Sequence, residues 1–224
     1  MNKNNLRLVI TLFSILLLIR CSENPNKIRY LALGDSYTIG EGLEVKNRWP
    51  NQLANRLEKS FNYSVNLKII AKTGYTSREL LDEIDKKSLT NNYDYVSILI
   101  GVNNQYRGLD IVEFEEELNI LLDKSISFAN GKRDKVFVLS IPDWGVTPFG
   151  ENRDRAMISK EIDEYNSVVS KVSANKGLKY YDITDISRKV EVIEGLVASD
   201  GLHPSALMYS MWVDKVISFF IKNI

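Results

Sequence analysis

Residues 95–101 read Tyr-Val-Ser-Ile-Leu-Ile-Gly. The run is apolar but for one serine, and it stops at a glycine. A strand with one wet face alternates apolar and polar residues. A run without alternation is buried on both faces, the pattern of an inner strand in a parallel sheet covered by helices. Working outward, Ser77–Lys86 reads as a helix with Leu80, Leu81 and Ile84 on one face, capped by Thr76 or Ser77. On the other side, Ile111–Ala129 is a long amphipathic helix. Its early acidic run, Glu113 and Glu115–Glu117, reads as a solvated start that suits the positive end of the helix dipole.

The same alternation extends in both directions. Ile28–Leu33, Val65–Ala71, Lys135–Ile141 and Lys179–Ile183 read as further strands. Arg48–Lys59, with Trp49, Leu53 and Leu57 at four-residue spacing, reads as a helix, as do Arg155–Lys176 and Ser205–Ile221. Gly177 is the stop signal of the second of these. Strand and helix in regular succession predict an α/β fold: three layers, α/β/α, with about five parallel strands. No repeat or second linker divides residues 28–224, so they read as one domain.

Composition excludes several functions. Lys+Arg and Asp+Glu balance at 29 each, and no basic stripe is visible, so no nucleic-acid partner is expected. One cysteine allows no internal disulfide. One Cys and one His do not make a zinc site of the usual ligand set, and no metal or cofactor is expected. The first residues differ from the rest. Lys3 and Arg7 precede the apolar run Leu8–Ile19, which is short for a membrane span and reads as a signal peptide over residues 1–20. Residues 21–27, with Pro25, read as a tether.

In a parallel sheet the ligand site lies beyond the carboxyl ends of the strands. Four loops therefore matter: Gly34-Asp35-Ser36, Thr73-Gly74-Tyr75, Gly101–Asn104 and Asp200–Pro204. Together they hold what acyl transfer requires. Serine is a weak nucleophile and needs a base within hydrogen-bond reach. His203 is the only histidine, and Asp200, three residues earlier, is placed to fix its tautomer. Oxyanion donors are available in the Gly74 N–H, the Asn103 amide and the Ser36 N–H. Singly, Ser36 reads as a turn cap, His203 as a surface histidine, and Gly74 and Asn103 as turn residues. Those readings do not explain why all four fall on one edge of one sheet.

With these residues in view, the chain resembles the SGNH, or GDSL, hydrolase superfamily. The four blocks match as Ser36 in GDS, Gly74 in KTGYTS, Asn103 in GVNN and His203 in DGLHP. The resemblance implies a flavodoxin-like fold, metal-free ester hydrolysis, and a catalytic pair from the last block, here Asp200 and His203. Two positions depart from the pattern. Asn104 stands where the third block often has Asp, and Tyr37 follows the nucleophile instead of Leu. Separately, Cys21 directly after the apolar run resembles the lipidation site of bacterial lipoproteins, although Arg20 occupies a position normally filled by a small residue.

The expected function is thus an exported serine esterase of the cell envelope, lysophospholipase- or acetylesterase-like, with catalytic Ser36, Asp200 and His203. Its partner would be a small ester: a lysophospholipid, an acyl thioester or an O-acetylated glycan. Membrane attachment through a lipid on Cys21 goes with this reading, and the oligomeric state is open. An acyltransferase on a glycan and a non-catalytic envelope binding protein are the alternatives. Around the site, Trp144 and Phe149 read as lining an acyl pocket or as packing under a loop. Tyr37 and Tyr106 read as substrate contacts or as packing, and Arg107 as a partner for an acidic substrate group or as an ordinary surface arginine.

Overall fold

The computed structural model describes residues 26–221. The signal-peptide reading, Cys21 and most of the tether lie outside the described residues, as do residues 222–224. Five strands form one all-parallel sheet: β1 (Asn26–Gly34), β2 (Tyr63–Ala71), β3 (Tyr95–Leu99), β4 (Val136–Leu139) and β5 (Lys179–Tyr181), in the order β2-β1-β3-β4-β5. The helices are α1 (Ser36–Ile39), α2 (Trp49–Phe61), α3 (Ser77–Lys86), α4 (Val102–Tyr106), α5 (Ile111–Phe128), α6 (Arg155–Asn175), α7 (Thr184–Ser187) and α8 (Ala206–Ile221). Helix α2 packs on α8, while α3, α5 and α6 pack in series, giving the two helical layers. Among the described residues no helix is long and apolar enough to cross a membrane.

Burial follows the sequence pattern. Every residue of β3 and β4 is buried, whereas β2, at one edge, exposes Ser64, Asn66 and Lys68 in alternation. Charge on an edge strand discourages pairing with another chain. In α2, Trp49, Leu53 and Leu57 are fully buried against the sheet and α8. Full burial of such an aliphatic side chain contributes about 1.5 to 3 kcal/mol, so this face, rather than intrinsic propensity, fixes the helix. Tyr30, wholly buried in β1, joins its hydroxyl to Ser97 Oγ at 2.7 Å and so avoids an unpaired polar group.

The structure corrects some boundaries. The first strand begins at Asn26, inside the stretch read as a tether, because its backbone pairs with Tyr63 of β2. The fourth strand ends at Leu139 instead of Ile141. Past it, the Ile141 backbone bonds to a side chain: Ile141 N donates to Asn166 Oδ1 at 2.7 Å, and Asn166 Nδ2 donates to Ile141 O at 2.9 Å. Glu117 is no part of a solvated start. It is buried in α5, where its carboxylate takes Arg78 Nε at 2.8 Å and the Ser77 hydroxyl.

The chain order matters for function. From β1 it runs outward to β2, then returns past β1 to β3. Ligands bind at such a reversal of direction, outside the carboxyl ends of the two strands. Ser36 follows β1, and Asn103 follows β3.

Candidate active site

The corner after β1 forces a small residue. A Cβ at Gly34 would collide with the Thr38 side chain and the Leu99 carbonyl, so β1 can run tight against β3 only with glycine there. Asp35 then caps α1, accepting Tyr37 N at 3.0 Å through Oδ1. Its Oδ2 is buried without a partner among the described residues, and burial pushes the carboxyl up to about 7 against the pull of the backbone bond from Tyr37. Ser36 opens α1, nearly buried, and its N–H is one of the donors that a helix start leaves free.

A cavity of about 210 Å³ brings the blocks together. Ser36, Gly74, Asn103 and His203 all line it, from four separate places in the chain. Asp200 stands behind His203, with Oδ2 2.6 Å from Nδ1. Its Oδ1 accepts both Leu202 N and His203 N at 2.9 Å, which fixes the loop as well as the ring. Partial burial pushes the Asp200 carboxyl upward, but these hydrogen bonds outweigh it and hold the group below its ordinary range. With Nδ1 donating to Asp200, Nε2 is the nitrogen left for the cavity. Tyr37 packs edge-on against the imidazole, 5.8 Å between ring centres, and is itself tied down by Tyr209, whose hydroxyl donates to Tyr37 O at 2.9 Å.

The donors on the opposite side are positioned with similar care. Gly74 has φ +86°, a conformation that favours glycine, and its carbonyl is held by Arg107 Nη2. The Asn103 amide donates to Tyr75 O at 2.9 Å, and a primary amide keeps a second N–H for the cavity. Arg107 also pairs with Glu79 at 3.4 Å. It therefore braces the second block.

Asn104 departs from the usual aspartate for a visible reason. It is buried, accepts Ser77 N at 3.0 Å through Oδ1, and donates from Nδ2 to Ser77 Oγ at 2.7 Å. The Ser77 hydroxyl donates in turn to the buried Glu117 carboxylate. A serine has one proton, so two carboxylates facing that hydroxyl would leave one unsatisfied. Asn104→Asp is expected to lower the unfolding free energy by about 1 to 3 kcal/mol at alkaline pH. The loss should shrink as pH falls, because the new pair can then share a proton. Urea unfolding of both proteins across pH tests this; equal stability at high pH contradicts it.

An aromatic wall closes the cavity. Val102, Tyr106, Trp144, Phe149 and Leu202 line it. Trp144 is buried in its loop and also lines the cavity. Its Nε1 donates to Gln105 Oε1 at 2.7 Å, and Gln105 Nε2 donates to Glu161 at 2.6 Å. The loop is pinned further by Arg155, which donates to Gly145 O at 2.7 Å and Val146 O at 2.9 Å. The Asp143–Arg188 pair at 2.9 Å secures its start, and Phe149 N joins it to Gly201 O at 2.9 Å, in the loop that carries His203. Gln105, Arg155 and Arg188 gave no local signal in the sequence, since their partners are distant in the chain. Among the described residues no group of three or more His, Cys, Asp or Glu side chains is placed to hold a metal ion.

The sequence model of the GDSL-like lipase/acylhydrolase family matches residues 32–211. No curated protein matches the chain. Among solved structures, a lipase/acylhydrolase from Enterococcus faecalis is similar at TM-score 0.67 and 21% identity, over 85% of this chain and 94% of that one. The acetylxylan esterase Axe2 from Geobacillus stearothermophilus is similar at TM-score 0.69 and 16% identity, over 88% and 95%. A psychrotrophic esterase from Pseudoalteromonas sp. is similar at TM-score 0.63 and 20% identity, over 87% and 97%.

Proposed function

The chain belongs to the GDSL-like lipase/acylhydrolase family, and from that premise we propose that it is a serine esterase acting on short acyl esters. One observation carries the reading: Ser36, Gly74, Asn103 and His203 converge on a single cavity, with Asp200 bonded to the far side of the imidazole. A binding protein of the same fold has no use for a carboxylate fixing the tautomer of a cavity histidine.

In the mechanism, Ser36 Oγ attacks the ester carbonyl while His203 Nε2 takes its proton. The carbonyl oxygen gains negative charge and is held by the N–H groups of Ser36 and Gly74 and the Asn103 amide. The tetrahedral intermediate collapses, and His203 returns the proton to the departing alkoxide. Water then enters, gives a proton to His203, attacks the acyl-serine, and releases the acid with Ser36 re-protonated. Asp200 stays ionised throughout and steadies the imidazolium.

The cavity, at about 210 Å³, is smaller than the roughly 300 to 1,000 Å³ of sites for drug-sized ligands. It therefore favours an acyl group of a few carbons. Hydrolysis of p-nitrophenyl acetate, butyrate and decanoate tests this. The acetate or butyrate is expected to exceed the decanoate in kcat/KM by about tenfold or more, since unaccommodated methylenes cost binding in the transition state. A decanoate preference contradicts the short-acyl reading, and no hydrolysis of any of them contradicts the esterase.

Export to the cell envelope with a lipid on Cys21 belongs to the same proposal. The basic start and apolar run within residues 1–20 support it. The mass of the mature N-terminus is the test: an unmodified Cys21 contradicts the lipid.

A further inference from the structure

Arg153 sits over the aromatic wall. Its guanidinium carbon lies 5.4 Å from the ring centres of Tyr106 and Trp144 and 5.1 Å from that of Phe149. All three rings line the cavity that holds Ser36 and His203. Cation–π contact of this kind draws on the charge of the guanidinium and does not use up its N–H donors. One edge donor reaches Tyr106 Oη at 3.3 Å. No carboxylate among the described residues pairs with Arg153. The adjacent Asp154 is turned to the start of α6, where it accepts Met157 N at 3.0 Å. Arg107, next to Tyr106 in sequence, is taken up by Gly74 O and Glu79. An exposed cation therefore rests against three rings of the cavity wall, without a counter-charge among the described residues.

We propose that Arg153 makes the mouth of this cavity a receptor for an anionic oxygen group, a carboxylate or a phosphate, carried by the ester a few bonds from its carbonyl. The inference rests on the serine-esterase reading and narrows its substrate class. The guanidinium presents paired N–H donors that match such groups in plane. The aromatic surface beneath it lowers the local dielectric, so the contact is stronger than on an open surface. Asp200, behind His203, would otherwise repel an anion, which makes a cation at the mouth the element that decides between charged and neutral esters.

Two matched pairs of esters, assayed with the wild-type chain and Arg153→Met, test the proposal. 1-Naphthyl hemisuccinate against 1-naphthyl butyrate places the charge on the acyl side. Acetylglycerol 3-phosphate against monoacetylglycerol places it on the alcohol side. The wild type is expected to favour the charged member of one pair in kcat/KM by about tenfold, the scale of one charge-assisted contact, and Arg153→Met to bring that ratio towards unity. The pair that responds identifies the side of the ester that carries the anion. A ratio unmoved by the substitution in both pairs overturns the proposal, as does a wild-type preference for the neutral ester in both. Failure of the wild type to hydrolyse any of the four overturns the esterase reading, and this inference with it.

Discussion

Ser36→Ala is expected to reduce ester hydrolysis by about four to six orders of magnitude in kcat, the range found when the nucleophile of a serine hydrolase is removed. The structure explains why the loss should be purely chemical. Ser36 lies at the start of α1, which is capped by Asp35 and not by the Ser36 side chain. Its N–H is unaffected by the substitution, so the proposed oxyanion donors stay in place. Removal of one small hydroxyl leaves the tight corner at Gly34 and the packing of Tyr37 unchanged. The thermal midpoint should therefore stay close to that of the wild type. A variant that folds normally and keeps hydrolysis within about tenfold of wild type would mean that another group performs the attack.

Asp200→Asn is expected to cost about four orders of magnitude in kcat with little loss of stability. The asparagine Oδ1 can still accept Leu202 N and His203 N, so the loop keeps its shape. What changes is the contact at 2.6 Å to Nδ1. An amide nitrogen there donates, which forces Nδ1 to accept and moves the ring proton to Nε2. An imidazole protonated at Nε2 cannot take the proton from Ser36. The Asp200 carboxyl is held below its ordinary range, so in the wild type it is ionised from mildly acidic pH upward. Its contribution to stability is present above the ordinary carboxylate pKa and is lost only as pH falls through the lowered one. The pH–rate profile near neutrality thus should not report Asp200. Activity of Asp200→Asn within about tenfold of wild type would remove this residue from the mechanism.

The sheet was legible because its inner strands are apolar runs without alternation, and the helices because their apolar faces recur at helical spacing. The three short helices were not. Ser36–Ile39, Val102–Tyr106 and Thr184–Ser187 span four or five residues each, too few for a period to show. The apolar run at 135–141 overstated the strand because apolarity reports burial and not backbone pairing. Ile141 is buried but bonds to Asn166, a partner 25 residues away that no local pattern reveals. Glu117 was misread for the same reason: its partners Ser77 and Arg78 arrive from another helix. The four blocks that meet at the cavity were legible as sequence because each is a short motif at a strand end or before the last helix. Trp144, Phe149 and Tyr106 were legible as candidates beside the blocks, but the way they form one wall and the place of Arg153 over it were not. Their arrangement depends on how the loop after β4 is tied to Gln105, Arg155, Arg188 and Gly201, contacts made across the fold.

That Ser36 is a nucleophile activated by His203 is tested most directly by covalent labelling. A fluorophosphonate probe reacts with an activated serine and not with an ordinary hydroxyl. The wild-type chain, incubated with the probe, digested and read by mass spectrometry, is expected to carry one adduct, on the peptide containing Ser36, with Ser36→Ala carrying none. An unlabelled wild-type chain, or an adduct that persists in Ser36→Ala, would contradict the account.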